Sequence, residues 1–167
     1  VGNSDGVYVF SPDSLQTDPQ NYLTYNYNNG KLRSNEIKCI YQDTRGRIWI
    51  GSSGGGLSMC IPGTDYRNLT FRHYGTSNGL VNDMVQAIAE DKQGNLWIAT
   101  EYGISRFNPE TQAFDNYFFS AYTLGNVYSD NSSCVSKNGS LLFGTNYGLL
   151  VINPEQMGNN SVLNSSI

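Results

Sequence analysis

Asp43-Thr44-Arg45-Gly46-Arg47-Ile48-Trp49-Ile50-Gly51 is answered downstream by Asp91-Lys92-Gln93-Gly94-Asn95-Leu96-Trp97-Ile98-Ala99. A weaker echo follows in Lys137-Asn138-Gly139-Ser140-Leu141-Leu142-Phe143-Gly144. Behind each copy comes Gly-apolar-x-x-x-x-Pro, beginning at Gly56, Gly103 and Gly148 and closing at Pro62, Pro109 and Pro154; Gly6 and Pro12 show the same spacing with no upstream half. Self-similarity at a period of about 45 to 50 residues is the mark of propellers and solenoids, so the chain is read as a tandem repeat before any other inference.

Each unit resolves into four strands. Residues 37–43 and 85–91 align in register and alternate in polarity, with Ile37, Cys39 and Tyr41, or Val85, Ala87 and Ala89, expected on one face. Asp-x-x-Gly then makes a tight turn. The carboxylate of Asp43 or Asp91 accepts bonds from its own turn, and Gly46 or Gly94, echoed by Gly139, takes the positive φ that other residues resist. The second strand carries Trp49 or Trp97 two residues before Gly51 or Ala99, and an aromatic recurring once per unit suits a wedge between neighbouring sheets. The third strand runs from the next Gly to the Pro that ends its ladder. The fourth is more variable, as in 69–74, 113–118 and, near the start, 22–27, where aromatic and polar residues alternate. Helical periodicity is absent.

Four antiparallel strands per unit predict an all-β fold, part of a β-propeller with about three and a half blades. The expected division is a partial blade over 1–27 (third and fourth strands), full blades over 28–74 and 75–119, and a last blade over 120–167 that leads out of the propeller, with 161–167 as a candidate outer strand. That number falls short of the roughly four to eight blades that close a ring, which points to an excised portion of a larger propeller or a ring shared by two copies.

The 167 residues include 18 Gly and 13% aromatics against 14% charged residues, the balance of a turn-rich, aromatic-packed β protein. A net charge of -4 with scattered basic residues argues against nucleic-acid binding, which needs clustered Lys and Arg. No stretch approaches a membrane span, and Val1 reads as a processed or trimmed start. Cys39, Cys60 and Cys134 lack CxxC spacing and the chain has one His, so neither a metal nor any other cofactor is expected; the cysteines are free thiols or include one disulfide.

The run Ile37-x-x-Ile40-x-x-Asp43-x-x-Gly46-x-Ile48-Trp49-Ile50-Gly51, followed by Gly56-Leu57, resembles the two-component regulator propeller repeat. That resemblance implies the periplasmic sensor region of a Bacteroides-type hybrid histidine kinase, in which propellers precede an immunoglobulin-like domain, a membrane helix and the kinase. The implied partners are the remaining blades and immunoglobulin-like domain of the same receptor, with an oligosaccharide ligand and a homodimer left open. The last repeat, with Phe143-Gly144 in place of Trp-Ile-Gly, looks like the family's final blade. Ala99 departs from the expected Gly, and Gly54-Gly55 lengthens one loop.

The Asp-x-x-Gly-x-apolar-Trp turn also looks like the Asp-box of sialidases, a structural turn remote from their chemistry. A sialidase-like enzyme would need an arginine cluster, and Arg33, Arg45, Arg47, Arg67, Arg72 and Arg106 are spread over turns and strands, so no catalytic residue is assigned. His73 stands alone on an outer strand, and the sequons at Asn68 and Asn138 read as unused. A binding site is expected in the loops of one rim. There the second-to-third connections supply Glu101, Tyr102, Asn146 and Tyr147, while the connections between units supply Asn35, Asn82 and Asp83. Two tyrosines at equivalent positions beside amides and carboxylates are what a sugar would require. A segment with no ligand of its own, serving structure or dimerisation, is the remaining reading.

Overall fold

The computed structural model describes residues 1–61, 66–119 and 128–158. Four antiparallel sheets follow one another along the chain. The first holds β1 (Gly2–Asn3), β2 (Gly6–Val9) and β3 (Leu23–Tyr25); the second holds β4 (Ile37–Gln42), β5 (Ile48–Ser52), β6 (Gly56–Ile61) and β7 (Thr70–Tyr74). The third is β8 (Val85–Glu90), β9 (Leu96–Thr100), β10 (Ile104–Asn108) and β11 (Ala113–Tyr117), and the fourth is β12 (Tyr128–Val135), β13 (Leu141–Thr145) and β14 (Gly148–Ile152). Each sheet pairs its strands in sequence order, the meander of a propeller blade. Pro62, part of the connection after the third sheet, and the candidate strand over 161–167 lie outside the described residues.

Period-2 alternation divides the apolar residues into three cores, one per joint between sheets. Ile50 looks back toward Val7, Tyr25 and Leu32; Trp49 and Leu57 meet Ile88, Leu96, Ile98 and Phe107; Trp97 and Ile104 meet Leu141, Phe143 and Ile152. Both tryptophans are fully buried. Trp49 sets its ring edge-on to Phe107 at 5.7 Å, and Trp97 stacks on Tyr117 at 5.2 Å. Rings in these geometries add about 0.5 to 1.5 kcal/mol beyond the area they bury.

The turn before each second strand explains why the motif is so well kept. Asp43 Oδ1 accepts from the backbone N–H of Arg45 and Arg47, and its Oδ2 accepts the indole N–H of Trp49 at 2.8 Å. Asp91 does the same for Gln93, Asn95 and Trp97, again at 2.8 Å to the indole. Gly46 and Gly94 sit at φ 80° and 82°, and Gly139 follows at 91°. The carboxylate thus ties the turn to the indole that seals the joint.

Three features differ from the sequence reading. The amino-terminal unit does have an upstream half: β1 pairs Gly2 with Val7 and Asn3 with Gly6, repeating the register of Gly51 with Leu57 and Ser52 with Gly56. Val1-Gly2-Asn3 is therefore the end of a second strand. Next, Ile37 and Val85 leave the faces expected for them. A bulge between Ile37 and Cys39, and another between Val85 and Ala87, reverses the side-chain sense, so Val85 joins the joint before its sheet and Ala87 the joint after. Finally, a short helix α1 (Pro12–Thr17) links β2 to β3, started by Pro12 with its preset φ and burying no residue.

Ala99 at the place of Gly51 has a counterpart change on the neighbouring strand. A Cβ on Gly51 would lie 2.5 Å from both Cys39 Sγ and Val85 Cγ1. In the third sheet the residue paired with position 99 is Ala87 in place of Cys39, which removes one of those two contacts.

Candidate functional site

The rim loops are shaped by a hydroxyl at the end of each second strand. Thr100 Oγ1 donates to the Gly103 carbonyl at 2.8 Å and accepts from the N–H of Tyr102 and Gly103; Thr145 Oγ1 donates to the Gly148 carbonyl and accepts from Tyr147 N–H. This latch turns the two tyrosines outward. Tyr102 is 60% exposed with its ring edge-on to Phe118 at 5.7 Å, and Tyr147, in the equivalent turn, is 72% exposed. Asn146 beside it is exposed as well.

Neighbouring loops are laced together by backbone. Ser53 N–H donates to the Glu36 carbonyl, Gly54 and Gly56 N–H both donate to the Asp83 carbonyl, and Glu101 N–H donates to the Met84 carbonyl. Asp83 and Glu101 are thereby brought to either side of Met84. Three of the expected contact residues are occupied by their own connections. Asn35 Oδ1 accepts from Tyr27 N–H, Asn82 Oδ1 accepts from Met84 N–H, and the Asp83 carboxylate accepts from both N–H and Oγ1 of Thr76. The rim therefore offers Tyr102, Asn146 and Tyr147 more freely than these three, while one oxygen of Glu101 accepts from Gln86.

Sequence reasoning missed the bulge residues of the innermost strands. Lys38, at the β4 bulge, reaches Glu36 at 2.8 Å and Asp130 of the fourth sheet at 3.1 Å. Both carboxylates hold the Lys38 ammonium above its ordinary pKa, and the hydrogen bond from Lys38 lowers that of Glu36. Gln86, at the corresponding bulge of β8, is buried and donates to Glu101 Oε1 at 3.3 Å, while its own Oε1 has no hydrogen-bond partner among the described residues. These polar groups line the side of the stack where first strands of different sheets approach each other. No sequence signal marks them, since the bulges show only in the strand pairing.

The remaining chemistry is quiet. His73 Nδ1 lies 2.8 Å from Ser58 Oγ, and burial, helped by the Arg33 charge, pushes its pKa below the usual value. The cysteines are free: Cys39 is buried, its thiol pushed up to about 12 by desolvation, Cys60 is half-buried and Cys134 exposed. Among the described residues no helix is long and apolar enough to cross a membrane.

Residues 31–54 and 79–102 match the model of the two-component regulator propeller family, both segments centred on the Asp-turn-Trp motif. The chain is similar, at 29% identity and a TM-score of 0.77 over 92% of its length, to the extracellular domain of a hybrid two-component system from B. thetaiotaomicron. The extracellular domain of a second such system from that organism shares the fold at 23% identity, a TM-score of 0.69 and 96% coverage. Histidine kinase P4 of Formosa agariphila is 22% identical over 168 residues, taking in 74% of this chain. The chain spans 19% and 22% of the two solved domains and 12% of the kinase.

Proposed function

We propose that this chain, which carries two-component regulator propeller repeats, is a non-catalytic sensor segment of a hybrid histidine kinase, facing the periplasm. One observation carries the reading: 92% of the chain follows, at 29% identity, an extracellular domain of a hybrid two-component system. The architecture supports it. The sheets pack through apolar joints whose polar groups serve the turns, and the Asp-boxes that would suggest a sialidase hold tryptophans in the core.

For the ligand we propose an oligosaccharide, held at the rim by Tyr102 and Tyr147 with Glu101 and Asn146 as polar partners. Exposed rings at equivalent turns present flat apolar faces beside hydrogen-bonding groups, the combination a sugar face requires. Calorimetric titration of the chain against a panel of oligosaccharides tests this. Binding by at least one, weakened about tenfold or more by Tyr102→Ala or Tyr147→Ala, is the expected result, equal to 1.4 kcal/mol. Binding untouched by both substitutions moves the site elsewhere. A second reading has its own support: Asn35, Asn82 and Asp83 are spent on their own loops, as in a segment that only holds the receptor's shape. No binding across the panel favours it.

A further inference from the structure

The connections that join the first sheet to the second and the second to the third follow one plan but are fastened by different side chains. Each plants a leucine in the joint beneath it, Leu32 in one and Leu80 in the other, both buried. The leucine N–H donates to the carbonyl of the residue just after β3 or β7, Asn26 or Gly75, at 3.0 and 3.2 Å. In the later connection an amide completes the closure. Asn116 on β11 accepts the Ser105 hydroxyl on its Oδ1 at 2.6 Å and donates from its Nδ2 to the Gly79 carbonyl at 3.0 Å. The side chain has an acceptor and a donor at one end, and both are used.

In the earlier connection His73 stands where Asn116 stands. It lies opposite Ser58 as Asn116 lies opposite Ser105, and its Nδ1 is 2.8 Å from the Ser58 hydroxyl. The Lys31 backbone, at the place of Gly79, makes a hydrogen bond that favours the charged ring, so it is the Lys31 carbonyl that faces the imidazole. Unlike the amide, the ring titrates near neutral pH. Once Nδ1 carries a proton, the Ser58 hydroxyl can no longer donate to it and, being buried, must find another acceptor. The new charge also falls beside Arg33, at the place of Val81, whose charge opposes it. The other groups around the ring do not answer that charge. β6 presents Ser58 and β3 presents Tyr25 in the same joint, while Arg72, the neighbour of His73 on β7, pairs with Met59 and lies on the other face. Asp83 stands across Gly75 from Arg33 with its carboxylate taken up by Thr76.

We propose that His73 is a pH-operated clasp on the connection between the first and second sheets. Neutral, with Nδ1 accepting from Ser58 and Nε2–H turned to the Lys31 carbonyl, it holds Lys31 and Leu32 as Asn116 holds Gly79 and Leu80. Protonated, it releases them, and the rim loses the fixed position of Asn35 and Glu36 farther along the same connection. The connection to the third sheet, held by an amide, keeps its shape in either condition. A histidine whose pKa is depressed on folding gives stability that is whole above the unfolded value of about 6.5 and is lost as pH falls through the lower folded one.

His73 is the one histidine of the chain, so its ring gives a single titrating signal. Proton NMR of the unaltered protein should follow that signal to a midpoint below the ordinary value, and nitrogen shifts above the midpoint should place the proton on Nε2. An ordinary midpoint, or a neutral ring protonated on Nδ1, overturns the proposal. Amide hydrogen exchange, converted to opening constants on either side of the histidine range, at about pH 7.5 and about pH 5, then compares Leu32 with Leu80. Opening at Leu32 should rise on acidification while Leu80 stays level. His73→Asn, which installs the side chain used by the third sheet, should abolish the rise, and Asn116→His should pass the acid response to Leu80. Equal responses at the two leucines of the unaltered protein, or a response at Leu32 that survives His73→Asn, overturns the clasp as well.

Discussion

The second and fourth sheets put the same strand to different use. In the second, Trp49 faces the third sheet, fully buried, and its indole bonds to Asp43. In the fourth, the corresponding position is Leu142, on a face shared with Cys134, Leu149 and Val151, of which Leu149 and Val151 are more than half exposed. The turn changes in step. Where the aspartates stand in the second and third sheets, the fourth has Ser136, which closes the turn by accepting Gly139 N–H on its carbonyl and reaching the Ser140 carbonyl with its hydroxyl. Asp and Trp come together twice, Ser and Leu once. A buried indole N–H needs an acceptor, a buried carboxylate needs donors, and on a face with no neighbour among the described residues neither need arises.

The largest expected effect follows from the packing. Trp97→Ala should cost about 3 to 5 kcal/mol, because the indole lies between two sheets that cannot close over the space it leaves. Leu142→Ala, with one side of its residue in solvent, should cost under about 1.5 kcal/mol. Urea denaturation of both variants measures the ratio. Equal losses would mean that the outer face of the fourth sheet is as well packed as the inner joints, and the contrast would fail.

The coupling between turn and ring sharpens the same contrast. Asp91→Ala orphans the indole N–H together with the turn amides of Gln93 and Asn95, and should cost about 2 to 3 kcal/mol, against under about 1 for Ser136→Ala in the fourth sheet. In a double-mutant cycle with Trp97→Phe, the two losses should fall short of additivity by about 1 kcal/mol or more, since the phenyl ring asks nothing of the carboxylate. Additive losses would show that the aspartate serves the turn alone.

How much of this was legible depended on whether the signal was periodic. The Asp, Gly and Trp positions, the strand order within each sheet and the propeller class all followed from the repeat, because each copy checks the others. The bulges were not legible: Ile37 and Val85 look like ordinary members of an alternating run, and only the backbone reveals the extra residue that sends them to the other face. β1 was missed for the opposite reason, as Val1-Gly2-Asn3 is too short to show a period, although Gly2 stands as far from Gly6 as Ala99 from Gly103 and Gly144 from Gly148. The rim residues lie on connections between strands and between sheets, where their spacing from the repeated glycines puts them. Their roles were not readable, since an Asn that caps its own turn and one that faces solvent look alike in sequence, as Asn82 and Asn146 do.

The smallest effect is a dependence on pH that should follow the second sheet and leave the fourth untouched. Burial disfavours the Asp43 carboxylate, but hydrogen bonds from the Trp49 indole and from Arg47, whose guanidinium Nε lies 2.6 Å away, outweigh that penalty and hold its pKa below the ordinary value. A group depressed on folding gives stability that is fully present above the unfolded carboxylate pKa of about 3.9 and is lost as pH falls through the lower folded one. Denaturant midpoints taken from pH 6 down to pH 2 should therefore fall at the acid end, and the fall should be shallower in Asp43→Asn. That variant has no charge to titrate and keeps one acceptor oxygen, while its NH2 faces donors at the place of the other, so its midpoint is lower throughout and only the slope of its acid limb is compared. Ser136→Ala, at the position in the fourth sheet where no carboxylate stands, should leave the acid limb parallel to that of the unaltered chain. An Asp43→Asn limb as steep as the parent's would place the acid sensitivity in other carboxylates and leave the Asp43 pair with a role in geometry alone.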